Sequence, residues 1–389
     1  MNQGFRIENM NNKRKKICHL TTVHPPFDTR IFHKEAKSLA KAGYSVTLIA
    51  RHEKEELVYG IRIIPLKTPK NRIVRMTKTL LECYRKAIGV DADLYHFHDP
   101  ELLIVGWLLK RRGKKVIYDV HEDVPRQIRT KEWIWKPFRV MIAKVTGFLE
   151  KTFSHRFDGV ICATPSIAEN FEYLRGRVNV VHNYPLLGEL FRSDENPEEW
   201  KNRSNAVVYV GGITVNRGIK EMIQAIEMIP SSYNAKLLLG GKFVPSSLED
   251  AAKKMPGWNK VEYLGWLNRT QVGDTLTKAR AGLVLIHPEP RYMVSLPVKM
   301  FEYMSAGLPV IASHFPLWKE IIEGNHCGLT VDPMNPREIA EAIRYIFDNP
   351  QEAMEMGRRG WEAVNTKYNW LGEEKKLLGV YKRILDNGK

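Results

Sequence analysis

The chain has 389 residues, 43% hydrophobic and 27% charged, so its composition excludes a disordered protein and its length predicts two or three domains. Residues 1–190 contain 34 basic and 20 acidic residues, whereas the remaining residues contain 26 and 24. The longest apolar run, Leu102–Leu109, is far shorter than the roughly 20 residues that cross a bilayer, and four scattered cysteines argue against a disulfide framework.

The first half of the chain alternates short apolar runs with segments of helical length. The apolar runs predict strands at Ile17–Val23, Val46–Ala50, Ile61–Leu66, Leu94–His98, Val116–Asp119, Gly159–Ala163 and Val178–His182. The segments between them predict helices at Arg30–Ala42, Arg72–Ile88, Glu101–Arg112 and Pro165–Leu174. Because buried strands separated by helices form βαβ units, we expect a parallel sheet.

A polar stretch, Gly188–Asn205, interrupts this alternation and is typical of a linker. After it, strands are predicted at Ala206–Val210, Lys236–Leu239, Val261–Leu264, Gly282–His287, Pro309–Ser313 and Gly328–Val331. Helices are predicted at Ile219–Ile229, Thr270–Ala279, Val298–Ser305 and Pro336–Phe347. The pattern therefore predicts an α/β protein with two doubly wound, Rossmann-like domains at residues 1–190 and 200–369.

Polar residues that directly follow predicted strands are the first candidates for a site, since ligands of such sheets bind beyond the carboxyl ends of strands. In the first domain these are His98 and Asp99, which end LYHFHDP, and His121 and Glu122, which end VIYDVHED. An imidazole followed by an acid suits hydrogen bonding to sugar hydroxyls and to developing charge. A single histidine of this kind more often has a structural role at a strand-to-helix turn, but two parallel occurrences favour a functional role.

The same histidines do not predict a metal site. His96, His98 and His121 lie close in sequence, but we recognise no cysteine or carboxylate that completes a ligand set.

In the second domain, VVYVGGITVNRGIKEMIQAI predicts a strand, a glycine turn and the start of a helix. Gly211 and Gly212 would let the backbone approach a ligand closely, and Arg217 would lie at the mouth of the helix. A helix N-terminus with a guanidinium suits a diphosphate. The pattern is not GxGxxG, so a dinucleotide fingerprint is not predicted, and Arg217 is also compatible with a solvated surface position.

A second turn of this kind lies in HPEPRYMVSLPVKMFEYMSAGLPVIAS. Ser295 and Leu296 precede a short predicted helix that carries Lys299 and Glu302. The helix start suits phosphate, and Glu302 suits two ribose hydroxyls. Glu302 would otherwise be a surface acid, although its apolar flanks favour a packed helix.

Four segments together resemble glycosyltransferase family 4, a group of retaining enzymes. They are DTRIFHKEAKSLAKAGYSVTLIA, PVKMFEYMSAGLPVIASHFPLWKEII, CGLTVDPMNPREIAEAI and YNWLGEEKKLLGVYKRIL. The resemblance extends over nearly the whole chain. It implies the GT-B fold, in which two Rossmann-like domains face each other across a cleft that holds the active site.

The resemblance also implies roles for individual residues. The second domain would bind a nucleotide-sugar donor, with Glu302 on the ribose and Arg217 on the phosphates. His121 would hydrogen-bond the donor sugar and assist catalysis. The resemblance further implies that the last helix, at about residues 370–389, packs back on the first domain. Neither a metal nor another cofactor is expected, because helix dipoles and basic residues neutralise the leaving diphosphate.

Two positions depart from the family's pattern. The first glutamate of its E-x7-E motif is replaced by Val294, and the arginine of its GR…KG motif is replaced by Gly212. The missing contacts would then come from backbone near Ser295 and from Lys299. We expect transfer of a sugar to an acceptor hydroxyl; the alternatives are an epimerase or phosphorylase on the same fold, or a non-catalytic nucleotide-sugar binding protein.

The basic first half predicts an anionic partner. Residues Arg126–Arg156 contain eight basic residues against two glutamates, mixed with Trp133, Trp135, Phe138, Phe148 and Phe153. This mixture suits an anionic membrane surface and a lipid-linked acceptor, in a cytoplasmic protein peripheral to the inner face of the membrane. A helix packed on the sheet with a solvated basic face would also explain it. Nucleic acid is not an expected partner, because no recognisable binding motif is present.

Overall fold

The computed structural model describes residues 14–129, 135–190, 200 and 203–386, so most of the predicted linker Gly188–Asn205 lies outside the described residues. The chain divides into two compact units. The first contains Met1–Val181 and Glu374–Lys389, and the second contains His182–Glu373.

The first unit is built on an eight-stranded sheet, whose strands we number in chain order. They are β1 Lys16–Leu20, β2 Ser45–Arg51, β3 Glu56–Val58, β4 Ile61–Leu66, β5 Leu94–Phe97, β6 Lys115–Val120, β7 Gly159–Cys162 and β8 Val178–Val180. Their order is β3-β4-β2-β1-β5-β6-β7-β8, and the described strands pair in parallel except for β3 with β4. The sequence did not predict β3, a three-residue edge strand whose side chains stay partly exposed.

Helices cover this sheet and bury its apolar side chains. They are Thr29–Ala36, which is a π-helix and continues as Lys37–Lys41, Arg72–Val74, Arg75–Thr79, Leu80–Val90, Pro100–Leu102, Leu103–Arg111, Val124–Arg129, Lys136–Ser154, Pro165–Ala168 and Glu169–Leu174. The core between helices and sheet includes residues of β1, β5 and β6, such as Leu20, Phe97 and Tyr118.

The second unit contains a six-stranded sheet. Its strands are β9 Ala206–Val210, β10 Lys236–Gly240, β11 Val261–Gly265, β12 Ala281–Val284, β13 Val310–Ser313 and β14 Gly328–Val331. Their order is β11-β10-β9-β12-β13-β14, and all described pairs are parallel. The prediction of two doubly wound α/β sheets is therefore confirmed.

Prolines begin several helices of the second unit, where the missing N–H costs no intrahelical bond. The helices are Val215–Arg217, Ile219–Met228, Ser231–Tyr233, Ser247–Lys253, Pro256–Lys260, Arg269–Leu276, Pro290–Met293, Val298–Ser305, Pro316–Ile322, Pro336–Asp348 and Pro350–Thr366. A last helix, Trp370–Asp386, begins in the second unit and ends in the first.

Each sheet has a switch point, at which the chain stops adding strands on one side of the first strand and begins to add them on the other side. In the first sheet the chain leaves β1 towards β2 on one side and reaches β5 on the other. In the second sheet, β9 and β12 flank the corresponding point. Ligands bind beyond the strand ends at such switch points, so the residues after these strands and their neighbours define where to look for a site.

Helix Lys136–Ser154 is held to the first unit by a narrow inner face. Ala143, Glu150 and Ser154 are buried, and the Tyr118 hydroxyl donates a 2.8 Å hydrogen bond to the Glu150 carboxylate. Burial raises the pKa of Glu150 to about 7, although the bond from Tyr118 opposes this.

Among the described residues, none of the helices combines the length and apolar character needed to span a bilayer.

We predict that Glu150→Gln makes the protein more stable at pH 8 than the wild type, but not at pH 5. A pKa of about 7 in the folded state, against 4.5 for an ordinary glutamate, favours the protonated form. The stabilisation of the folded state by protonated Glu150 is fully present below pH 4.5. It is lost as pH rises through 7, which lowers the free energy of unfolding by up to about 3 kcal/mol. Urea unfolding at both pH values measures the difference.

The exposed Glu172→Gln serves as the matched control in the same unit. If the difference between wild type and Glu150→Gln did not change with pH, the assigned ionisation would be wrong.

Candidate functional site

Three polar side chains meet at the carboxyl ends of β5 and β6 in the first unit. His98 directly follows β5, Asp119 is the penultimate residue of β6, and His121 directly follows β6. The Asp119 carboxylate accepts hydrogen bonds from His121 Nε2 at 2.9 Å and from His98 Nδ1 at 3.2 Å. The two predicted histidines are therefore brought together, through an aspartate that the sequence analysis did not single out.

Arg30 fixes the charge of this aspartate. Its Nε and Nη2 atoms donate to the two carboxylate oxygens of Asp119 at 3.1 and 3.0 Å. Burial alone would disfavour the carboxylate, but the charge of Arg30 and the bonds from both histidines outweigh burial, and the pKa of Asp119 lies well below its usual value. Asp119 is thus an ionised acceptor that orients His121.

The two histidines differ in their access to solvent. His98 is 3% exposed, and burial lowers its pKa to about 4 despite its bond to Asp119, so its imidazole is neutral at pH 7. The His121 side chain is 19% exposed. His121 is therefore the one of the pair that a ligand can reach.

The other two predicted residues of this unit lie in different surroundings. Asp99 is 2% exposed and accepts bonds from the Thr21 hydroxyl at 2.9 Å and from the Val23 amide at 3.2 Å. It therefore holds the loop after β1 against the end of β5. Glu122 is exposed and accepts a short hydrogen bond from Gln127.

In the second unit, the glycine turn after β9 lies against two cations. A Cβ on Gly211, whose φ is 136°, would come within 2.8 Å of Lys299 Nζ. A Cβ on Gly212 would come within 3.0 Å of Arg217 Nη1, which donates to the Gly212 carbonyl at 3.2 Å. Gly218, with φ of 72°, lies between Arg217 and helix Ile219–Met228. The turn therefore needs glycine for close approach, as the sequence predicts.

Lys299 is the most unusual charge of the second unit. It lies one residue into helix Val298–Ser305, and its ammonium is 3.6 Å from the centroid of the Tyr209 ring. Its Nζ atom is buried and has no hydrogen-bond partner among the residues that the structure describes. Burial and the nearby charge of Arg217 lower its pKa well below the usual value. An anion bound beside it would supply the missing partner.

Ser295 and Leu296 shape the turn before this helix. The Ser295 hydroxyl donates to the Tyr292 carbonyl at 2.8 Å, and the Ser295 carbonyl accepts a bond from the Trp318 indole at 2.7 Å. Leu296 packs against the buried core of the second unit. Both residues therefore position the helix start.

Glu302 is held by an arginine that the sequence analysis missed. Arg269 donates to Glu302 Oε1 at 2.6 Å and forms a two-pronged ion pair with Glu189, with both distances 2.8 Å. Burial of Arg269 is outweighed by these two carboxylates, which raise its pKa above its usual range. In sequence Arg269 looks like an ordinary residue at a helix start, so only the fold shows this pairing.

Two family models match consecutive parts of the chain. Residues 29–184 match Glycosyltransferase Family 4, and residues 191–362 match Glycosyl transferases group 1. Together the two matches cover most of the chain.

Known proteins are similar over different shares of the chain. An uncharacterized glycosyltransferase of Methanocaldococcus jannaschii is 32% identical over 185 residues, which are 46% of this chain and 45% of that protein. The chain therefore matches less than half of that relative's length. A lipopolysaccharide core biosynthesis glycosyltransferase of Rhizobium meliloti is 24% identical over 78% of this chain and 87% of that protein.

Solved structures share the fold over nearly the full length. Sucrose-phosphate synthase of Thermosynechococcus elongatus aligns with a TM-score of 0.79 at 20% identity, covering 96% of this chain and 100% of that one. HepE of Anabaena, solved with UDP-glucose, aligns with a TM-score of 0.70 at 13% identity, covering 95% and 99%. These likenesses show that the fold is GT-B.

We predict that Arg30→Met destabilises the protein by about 3–5 kcal/mol, because it leaves the buried charge of Asp119 uncompensated. Urea unfolding measures the loss. The matched control is Arg62→Met, which removes an ion pair with Glu55 whose partners are about half exposed, and it should cost no more than about 1 kcal/mol. If both variants lost the same free energy of unfolding, the buried pair Arg30–Asp119 would contribute no more to stability than the exposed pair Arg62–Glu55.

Proposed function

The chain belongs to the glycosyltransferases that combine a family 4 domain with a group 1 domain, and we propose that it moves a sugar from a nucleotide diphospho-sugar to an acceptor hydroxyl with retention of configuration. The family membership confirms the resemblance seen in the sequence. The observation that carries the proposed reaction is the buried, unpartnered ammonium of Lys299 beside Arg217.

The proposed binding position of the donor's diphosphate follows from the charges at the glycine turn. Cleavage of the anomeric bond places negative charge on the leaving diphosphate, and preorganised cations stabilise that charge more strongly away from water. Arg217 is close enough to Lys299 to lower the pKa of the lysine, and both side chains lie at the glycine turn. We assign the diphosphate to this turn, with no metal or other cofactor in the reaction.

Glu302 is the proposed acceptor of the donor's ribose hydroxyls. Its Oε1 atom accepts a hydrogen bond from Arg269, and its side chain is 15% exposed. Lys299 and Glu302 lie on the same helix at i and i+3, so they share one face. A ribose and a diphosphate of one nucleotide could therefore be bound by neighbouring turns of that helix.

His121 is the proposed contact of the donor sugar. Its Nε2 atom is engaged by Asp119, which sets the tautomer and leaves Nδ1 for a sugar hydroxyl. In the proposed mechanism, water is excluded from the bound donor. The acceptor hydroxyl then attacks the anomeric carbon on the face that the diphosphate leaves, and the leaving phosphate takes the proton.

The alternatives predict different products. An epimerase would release an isomer of the donor without transfer, a phosphorylase would need inorganic phosphate, and a non-catalytic binding protein would release no nucleotide. The relatives' names, which include transferases of lipopolysaccharide synthesis, do not favour these alternatives. They support an acceptor among the precursors of surface polysaccharides.

We predict that one of a panel of UDP-, GDP- and ADP-sugars gives acceptor-dependent nucleotide release, and that Lys299→Met lowers this turnover by about 10²–10³-fold. Glu302→Ala and His121→Ala should each lower it as well. The control is Lys319→Met, an exposed lysine of the same unit, which should leave turnover unchanged. Undiminished turnover in all three site variants would refute the assignment.

An anionic membrane is the proposed partner of helix Lys136–Ser154. This helix exposes a stripe of apolar residues at helical spacing, among them Phe138, Met141, Val145 and Phe148, the last being 69% exposed. Such a stripe on one helix is unusual for a surface that faces water alone. Trp133 lies outside the described residues.

Basic residues flank the stripe. Lys136, Lys144 and Lys151 are exposed on the same helix. Apolar side chains between lysines suit the headgroup layer of an anionic bilayer, where each lysine contributes about 1 kcal/mol. This surface would bring the enzyme to a lipid-linked acceptor at the inner face of the membrane.

We predict that the protein co-sediments with vesicles containing phosphatidylglycerol but not with pure phosphatidylcholine vesicles, and that Met141→Ser/Phe148→Ser weakens binding at least about tenfold. Ile73→Ser is the control, because Ile73 is also apolar and 75% exposed but lies on another helix. Absence of binding to both vesicle types, or an equal effect of the control, would contradict the membrane assignment.

A further inference from the structure

A second group of chemically active side chains lies beside the His98–Asp119 contact and is buried more deeply. His19, Glu35, His96 and His98 each offer one ligand atom, and these atoms all lie within 4.8 Å of one another. All four side chains are buried, with no more than 3% of any residue exposed. We call these four residues the buried quartet.

The fold brings the quartet together from three separate segments. His19 lies on β1 directly opposite His96 on β5, in the register of the parallel pair. His98 is two residues after His96 and so lies on the same face. Glu35 comes from the π-helix Thr29–Ala36. Because 79 residues separate His19 from His98, the sequence gives no local sign of the set.

The quartet has more acceptors than donors. Neither carboxylate oxygen of Glu35 receives a hydrogen bond from any residue that the structure describes, and the same holds for His96 Nε2. Arg30 Nε lies 2.9 Å from Glu35 Oε1, but it donates its hydrogen to Asp119. Buried acceptors without donors are costly, so a proton or a metal cation is needed at this point.

The charges of the side chains around the quartet also indicate that a positive charge is missing there. Arg30 contributes one positive charge, whereas Asp119 and Glu35 contribute two negative charges when both carboxyl groups are ionised. One negative charge is left without compensation inside the first unit. Either a proton or a metal cation must balance it.

We propose that the buried quartet binds one zinc ion, with Glu35 and one ring nitrogen of each of His19, His96 and His98 as ligands. Three imidazoles and a carboxylate form a four-coordinate ligand set that suits zinc. This site is structural, lies outside the donor-binding turn and is separate from the metal-independent transfer proposed above.

The distances in the quartet are close to those of a zinc site. Ligand atoms around tetrahedral zinc are about 3.4 Å apart, given bonds of about 2.0–2.1 Å. His19 Nδ1 and His98 Nε2 are 3.0 Å apart, and Glu35 Oε2 is 4.0 Å from His98 Nε2. These separations differ from the tetrahedral value by no more than about 0.6 Å, and all the ligand atoms lie within 4.8 Å of one another.

Outer contacts also fit a metal site. Histidine ligands generally donate their second ring nitrogen to a carboxylate or another oxygen, which orients the ring. His98 Nδ1 is 3.2 Å from Asp119 Oδ2, and His19 Nε2 is 3.3 Å from the Tyr381 hydroxyl. His96 Nδ1 is 2.6 Å from the same hydroxyl, so all three imidazoles already have such a contact.

The test begins with the wild-type chain, produced in zinc-supplemented culture and dialysed. Elemental analysis should find about one zinc ion per chain, and exchange for Co²⁺ should give the intense visible absorption of four-coordinate cobalt. Removing the zinc with a strong chelator should lower the melting temperature, and returning it should restore that temperature. A wild-type protein with no bound zinc and no thermal response would overturn the proposal and leave a proton as the balancing charge.

Variants then locate the ion. His19→Asn and Glu35→Gln should lose zinc and the cobalt absorption, whereas His121→Asn should keep both. His121 is the matched control because it forms a second possible group with His98 and Asp119. Loss of metal in His121→Asn with retention in His19→Asn would also overturn the proposal. If a quartet variant does not fold, the cobalt spectrum of the wild type decides, since the weak absorption of six-coordinate cobalt would contradict a four-ligand site.

Discussion

Asp119 is ionised inside the first unit because Arg30 forms two hydrogen bonds with its carboxylate. Without that guanidinium, burial would disfavour the carboxylate, and its hydrogen bonds with His98 and His121 would be weakened. Arg30 also donates to the carbonyl of Val181 at 2.9 Å, at the end of the first unit's sheet. A single buried cation thus connects the π-helix, β6 and the segment after β8, and it fixes the orientation of the accessible imidazole.

Within the described part of the chain, the buried cation of the second unit, Lys299, lacks the carboxylate partner that Arg30 has in the first unit. In the first unit the buried cation is matched to a carboxylate, whereas Lys299 in the second has an aromatic ring and another cation nearby but no hydrogen-bonding partner among the described residues. A buried ammonium in this state is costly in the free protein. The cost is recovered when an anion binds, so the same arrangement that lowers stability favours a diphosphate.

Much of the fold could be predicted from sequence, because buried parallel strands are short and nearly continuous in apolar residues. Ile61–Leu66, Ala206–Val210 and Gly328–Val331 have the predicted bounds. Prediction failed where the signal is weak or non-local. Helices Ser247–Lys253 and Pro350–Thr366 were not predicted, since their polar faces resemble surface loops.

The candidate site shows the same limit. His121 and Lys299 follow strands or begin helices, so their positions can be found by reading along the chain. Asp119 is two residues before His121, and the alternation of side chains along a strand gave a usable signal for it. Arg30 and Arg269 gave none, because their partners are 89 and 33 residues away in sequence. Pairings of that kind depend on the strand order and not on any local pattern.

One oxygen atom joins the accessible site to the buried quartet. Asp119 Oδ2 accepts bonds from Arg30 Nε, His98 Nδ1 and His121 Nε2. Three donors on one oxygen compete for the same electron density, so strengthening one bond weakens the others. A cation on the far nitrogen of His98 would make its Nδ1–H a stronger donor and would draw Asp119 away from His121. The charge state of the quartet is therefore coupled, through a single carboxylate, to how firmly the accessible imidazole is held.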